Sequence, residues 1–153
     1  METKTNPNII GRIDKADFPK INLHRIRVKI DTGAYTSAIH CWKIEETNDR
    51  RLKVIFLDPD DRKYTGKPHI FKKYAKKKVK SSNGESADRF IISTQIRFHR
   101  RLYTAEFSLT FRGDMRYPVL IGRKFLTEHH FIINPQLRNY LHQMRKSKKL
   151  SMD

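Results

Sequence analysis

The chain has 153 residues, enough for one domain with a sizeable core and too few for two lobes of that size. Lysine and arginine number 33 against 16 aspartates and glutamates, a formal charge of +17 that attracts polyanions without choosing among nucleic acid, anionic membrane and acidic polypeptide. The single cysteine, Cys41, excludes an intrachain disulfide, and no run approaches the roughly 20 apolar residues that cross a bilayer, so no membrane partner is expected.

In chain order, residues 1–8 read as a flexible lead-in without the apolar stretch of a secretion signal, and a cytoplasmic location is expected. Residues 9–144 read as the single domain. Alternation with period two dominates it, the mark of a mainly β chain. Strands are expected over residues 8–13, 24–30, 38–44, 52–57, 90–98, 101–109 and 118–121. Asp58-Pro59-Asp60-Asp61 is a turn, and residues 97–101 form a tight hairpin between two long strands. Residues 64–84 differ: Lys72, Lys73, Lys76, Lys77, Lys78 and Lys80 crowd together, interrupted by Tyr74 and Ala75, and read as a solvated, partly mobile face. Small polar residues, 81–86, follow. A short helix is expected over residues 122–130 with Phe125 and Leu126 as its apolar contacts. Asn134-Pro135 turns the chain into a last piece, 136–144, and the basic tail 145–153 lacks the apolar residues to fold.

Two elements carry chemistry. The alternating run Arg27-Val28-Lys29-Ile30 feeds Asp31-Thr32-Gly33, and Ala34 follows. An isolated triplet of this kind is also an ordinary turn between strands. Far downstream lies Tyr117-Pro118-Val119-Leu120-Ile121-Gly122-Arg123, an apolar run closed by glycine. The bland reading of Cys41, just past the triplet, is a buried small hydrophobe.

The run from Val28 to His40 resembles the signature of the bacterial and archaeal retropepsin-like aspartic peptidases labelled "ATP-dependent zinc protease", the RimK/LysX-associated group. The likeness continues through residues 79–84, 89–92, 112–118 and 119–126, and covers roughly 9–141 in all. Tyr35 departs from it where the family usually has Arg, and Asn134 where Asp is common. The resemblance implies a closed β-barrel of the acid-protease kind with one short helix near the C-terminal part. It implies catalysis by Asp31, with Thr32 bracing the loop and Gly33 leaving room for substrate. Ala34, Tyr35 and Arg123 would lie beside the substrate, with Ser82, Asn83 and Gly84 at the tip of a flap.

Aspartic catalysis needs two carboxylates about 3 Å apart that share one proton. One takes a proton from the attacking water while the other donates to the scissile carbonyl. This chain has one such triplet, so the activity demands a symmetric homodimer with one Asp31 per subunit. Retroviral members pair the later Arg with an acid soon after the triplet. Here Tyr35-Thr36-Ser37 stands in its place, leaving Arg123 to a salt bridge, with Glu128 or an acid across the dimer, or to an acidic substrate. An acidic or polyglutamate segment is the favoured substrate, because relatives of the group are linked to enzymes that add glutamates to proteins.

The family label raises ATP and zinc. Gly66-Lys67 lacks the glycine spacing of a phosphate-binding loop, no His-Glu-x-x-His occurs, and His129-His130 are adjacent, so neither a cofactor nor a metal is expected. The rival function is a catalytically silent domain of the same fold that binds nucleic acid or ribosomes through its charge. Tyr64, Phe71, Tyr74 and Phe98 are interleaved with its basic stretches.

Overall fold

The computed structural model describes residues 8–80, 83–111 and 116–144. Among the described residues are eleven strands and, between the last two, a short helix: β1 Asn8–Ile10, β2 Ile13–Phe18, β3 Leu23–Ile30, β4 Ser37–Glu46, β5 Leu52–Phe56, β6 His69–Phe71, β7 Ala75–Lys80, β8 Ser86–Phe98, β9 Arg101–Thr110, β10 Val119–Ile121, α1 Arg123–Glu128 and β11 Phe131–Ile133. Strands β10, β3, β2, β8, β9 and β4 pair in that order, and β10 pairs again with β4, so the six close into a barrel. β5 and β6 extend the sheet from β4, β7 pairs with the outer half of β8, and β1 forms a small parallel sheet with β11.

The barrel interior follows from the alternation. Ile26, Val28 and Ile30 of β3, Ile92, Thr94, Ile96 and Phe98 of β8, and Ala105, Phe107 and Leu109 of β9 are all buried. Each fully buried Ile, Leu or Phe contributes about 1.5–3 kcal/mol relative to exposure. The polar residues between them face out on β3 and the distal part of β8, which is how an up-in, down-out pleat reads in sequence.

The mainly β barrel and the residue 97–101 hairpin match the sequence expectation, and several details correct it. The expected strand over 8–13 is two strands that part at Gly11, where a Cβ would lie 2.2 Å from the Leu137 carbonyl oxygen. β2 escaped notice because its inward positions, Asp14, Ala16 and Phe18, begin with a carboxylate. The lysine-rich stretch is solvated as expected, yet residues 75–80 form a regular strand, laddered onto β8 from Ala75 opposite Ile91 to Lys80 opposite Ser86. Its side chains are exposed on both faces, so no alternation marks it. The helix is shorter than 122–130, because His130 takes a left-handed backbone (φ 56°) and the chain turns into β11. A second helical segment occupies residues 140–144. Asn8 opens β1, donating through Nδ2 to the His129 carbonyl (2.7 Å) and accepting from Arg101 through Oδ1 (2.9 Å). Residues 1–7, the basic tail and Ser82 lie outside the described residues.

Asp14 explains how the last helical segment docks. Its carboxylate is fully buried and accepts three backbone N–H groups, from Lys15 (2.8 Å), Leu141 (3.0 Å) and His142 (3.2 Å). Burial pushes its carboxyl above the ordinary value of 3.8, while the N–H donors pull it back only in part. A folded-state value above the unfolded one makes the native state the better proton binder. The contribution of Asp14 is therefore full below the unfolded value and is lost as pH rises through the folded one. Asp14→Ala leaves buried donors without an acceptor and is expected to cost about 1–3 kcal/mol. Asp14→Asn keeps an acceptor and sheds the buried charge, so it is expected to cost less and to flatten this part of the acid-side stability profile. Denaturant melts of the three proteins between pH 3 and 7 check both points.

Candidate active site

The Asp31 loop sits where the barrel closes. β3 delivers Asp31, the chain turns through Thr32 and Gly33, and β4 begins at Ser37. β10 runs between β3 and β4, parallel to the first and antiparallel to the second, with Ile121 opposite Ile30 and Val119 opposite Ile39. The next residues thread behind the loop. The Asp31 N–H donates to the Ile121 carbonyl (2.8 Å), the Gly122 N–H to Ser37 Oγ (3.0 Å), the Arg123 N–H to the Ala34 carbonyl (2.8 Å) and the Lys124 N–H to the Tyr35 carbonyl (3.0 Å). Four bonds thus fix a seven-residue loop from behind, and its open side faces solvent.

On that side, Asp31 is half-buried and its Oδ1 accepts the Gly33 N–H at 3.1 Å, which aligns the carboxylate with the loop. Thr32 and Gly33 are exposed, Ala34 is half-buried, and Tyr35 is 59% exposed. Arg123 opens α1. Its guanidinium donates to the Thr32 carbonyl (2.9 Å) and lies 5.7 Å from the centre of the Tyr35 ring. The expected intrachain salt bridge to Glu128 is absent among the described residues; Glu128 lies near His129 instead (3.8 Å). Arg123 braces the triplet's backbone and lies over the Tyr35 ring instead of pairing with an acid of its own chain. Sequence reasoning missed this because a cation on a carbonyl leaves no charge-pair signature.

Asn83 and Gly84 lie in the connection between β7 and β8, Gly84 with a left-handed φ of 88° that suits glycine at a hairpin tip. The β7 side chains and the first four of β8 are all exposed, so this hairpin projects from the barrel. Its base is tied to β4: the Tyr74 hydroxyl and the Lys76 ammonium both donate to the Glu46 carboxylate, and those bonds hold that carboxyl below its ordinary range. Neither the glutamate nor the tyrosine was singled out from sequence as an anchor of this hairpin.

Cys41 is fully buried, and desolvation raises its thiol far above the usual range, which matches the reading as an inert core residue. Among the described residues no three His, Cys, Asp or Glu side chains converge to hold a metal ion. No helix there is long and apolar enough to cross a membrane.

Comparisons with known proteins bear on the family and the fold. The chain is similar to a probable alpha-L-glutamate ligase of Desulfotalea psychrophila, 28% identical over 90% of this chain and 30% of that protein. A probable alpha-L-glutamate ligase of Shewanella pealeana is 29% identical over 80% of this chain and 27% of that protein. The chain therefore spans less than a third of the length of these relatives. A crystal structure of a Legionella pneumophila protein of unknown function shares the fold, with a TM-score of 0.69 at 24% identity over 88% of this chain and 98% of the other. Residues 9–144 match the RimB-like family, described as retropepsin-like aspartic endopeptidase RimB, and the chain belongs to that family.

Proposed function

We propose that the chain is an aspartic-type endopeptidase acting as a symmetric homodimer, with acidic or polyglutamate segments of proteins as substrate. The observation that carries this reading is the Asp31 loop, whose carboxylate is presented to solvent while β10 and the start of α1 hold its backbone from behind. In the dimer, two Asp31 side chains, one ionised and one carrying the proton they share, flank one water. One accepts its proton as the oxygen attacks the scissile carbonyl; the other protonates the carbonyl oxygen. Collapse of the tetrahedral intermediate returns a proton to the leaving nitrogen. No covalent intermediate with the enzyme forms.

Three facts support the acidic substrate. The relatives are named glutamate ligases, and this chain carries +17. Arg123 is exposed and uses one of its five N–H donors on Thr32, so the others are available beside the triplet. The projecting β7–β8 hairpin supplies a flap that closes over the bound segment and excludes water. The test compares glutamate-rich reporter peptides with their glutamine counterparts. The glutamate peptides are expected to show kcat/KM at least about tenfold higher, a gap that salt narrows, and Arg123→Gln should narrow it too. Equal cleavage of both series, or cleavage of neither, overturns the proposed preference.

A further inference from the structure

We propose that the outer face of β2 and β3, together with the loop after β5, is a binding cleft for single-stranded RNA, separate from the Asp31 loop. A cavity of about 450 Å³ opens there, lined by the cations Lys15, Arg25, Arg27, Arg62 and Lys63 and by the acids Asp60 and Asp61. Five cations against two carboxylates leave a net positive cleft, and none of the five forms an ion pair among the described residues. Asp61 Oδ1 accepts the Lys63 N–H at 2.8 Å, which fixes the turn that carries Arg62 and Lys63. Like charges gathered without ion-pair partners repel one another, which favours the entry of an anion.

The backbone is built to bring these charges together. Arg25 has a left-handed φ of 53°, uncommon for a residue with a long side chain, and its N–H is held by the buried Asp17 carboxylate at 2.7 Å. This irregularity lies where the β2–β3 register shifts, and it leaves His24 and Arg25 both exposed before alternation resumes at Ile26. Leu57, fully buried at φ 71°, turns the chain from β5 into the loop that carries Arg62 and Lys63. Two strained positions therefore deliver cations from separate segments to one cleft.

The chemistry favours RNA over an acidic polypeptide. Arg25 and Arg27 are both exposed on β3 and line the same cleft, so one strand presents two guanidinium groups to the phosphates of an extended nucleic-acid strand. Arg27 and Arg116 both lie on the Tyr117 ring, at 5.6 and 5.9 Å from its centre. Of this group Arg27 lines the cleft and Tyr117 precedes its Pro118, so guanidinium planes on which unstacked bases can stack adjoin it, and three of the five cleft cations are arginines, which grip phosphate oxygens in pairs. A chain of carboxylates would use the charge and leave the stack idle.

The test is fluorescence anisotropy with a labelled mixed-sequence RNA of about twelve nucleotides, titrated at several salt concentrations. The wild-type chain and Asp31→Asn should bind alike. The triple variant Arg25→Asn, Arg27→Ala, Arg62→Ala, in which asparagine tolerates the left-handed backbone, should bind at least about tenfold more weakly with a salt slope smaller by about two. Its thermal melt, together with an intact circular dichroism spectrum, separates lost binding from lost folding. Lys77→Ala with Lys78→Ala, on the projecting hairpin, is the charge control and should weaken binding far less. Unchanged affinity and slope in the triple variant overturn the assignment. So does a control as damaging as the triple variant, or displacement of RNA by polyglutamate of matched charge at equal concentration.

Discussion

Asp31→Asn is expected to lower peptide hydrolysis by at least about 10²–10⁴-fold while leaving the fold intact. Asparagine has the same shape, and its side-chain carbonyl can still accept the Gly33 N–H that now reaches Asp31 Oδ1 at 3.1 Å. The site is half-exposed, so the stability change should stay within about 0.5 kcal/mol. A loss of rate with an unchanged melt therefore locates the defect in the chemistry. The same variant tests the dimer. If each active site takes one Asp31 from each of two subunits, equal mixing of wild-type and variant chains leaves about a quarter of the activity rather than half. The mixture must be allowed to exchange subunits before assay, and sedimentation of each protein checks that both associate. A linear dependence on wild-type fraction refutes the shared site but not the role of Asp31. Full activity in the pure variant refutes the peptidase reading itself.

Much of this architecture was legible because the barrel strands obey a simple alternation. From Ile26 on β3, and over the latter parts of β8 and β9, inward positions recur at every second residue and all but Thr94 are apolar, and the hairpin between β8 and β9 is marked by a break in that pattern. The Asp31 triplet and the Val119–Gly122 run could be read separately, and their order along the chain implied that one backs the other. What stayed hidden was hidden for physical reasons. β7 is exposed on both faces, so its lysines carry no inside–outside signal, although β8 supplies a full ladder of partners. β2 puts the carboxylate of Asp14 at an inward position, and only the folded chain reveals the backbone donors of Leu141 and His142 that satisfy it. Arg123 was expected to seek an acid, yet a backbone carbonyl and an aromatic ring occupy it. The cationic cleft draws on β2, β3 and the loop after β5, three segments that no local motif connects.

Gly122→Ala is expected to damage both stability and activity, and the reason is steric. The backbone at Gly122 is extended (φ −95°, ψ 177°), a conformation open to any residue, so conformational freedom is not what the glycine supplies. A Cβ there would lie 2.6 Å from the Thr36 carbonyl oxygen and 2.7 Å from that of Tyr35. Both are backbone atoms of the Asp31 loop, and neither can swing aside as a side chain would. The loop must move as a unit, stretching the bonds from Gly122 to Ser37, from Arg123 to Ala34 and from Lys124 to Tyr35. Overpacking of this kind costs about 1–3 kcal/mol, and displacing a catalytic carboxylate by about 1 Å costs roughly 10²-fold in rate. Gly33→Ala is the contrast. Its new Cβ meets only Asp31 Oδ1, at 3.3 Å, so the melt should barely shift while activity falls. Thermal melts and peptide assays on the two variants distinguish the roles: Gly122 lets β10 close against the loop, and Gly33 keeps space beside the carboxylate. An unchanged melt and an unchanged rate in Gly122→Ala would show that the threaded segment does not position Asp31.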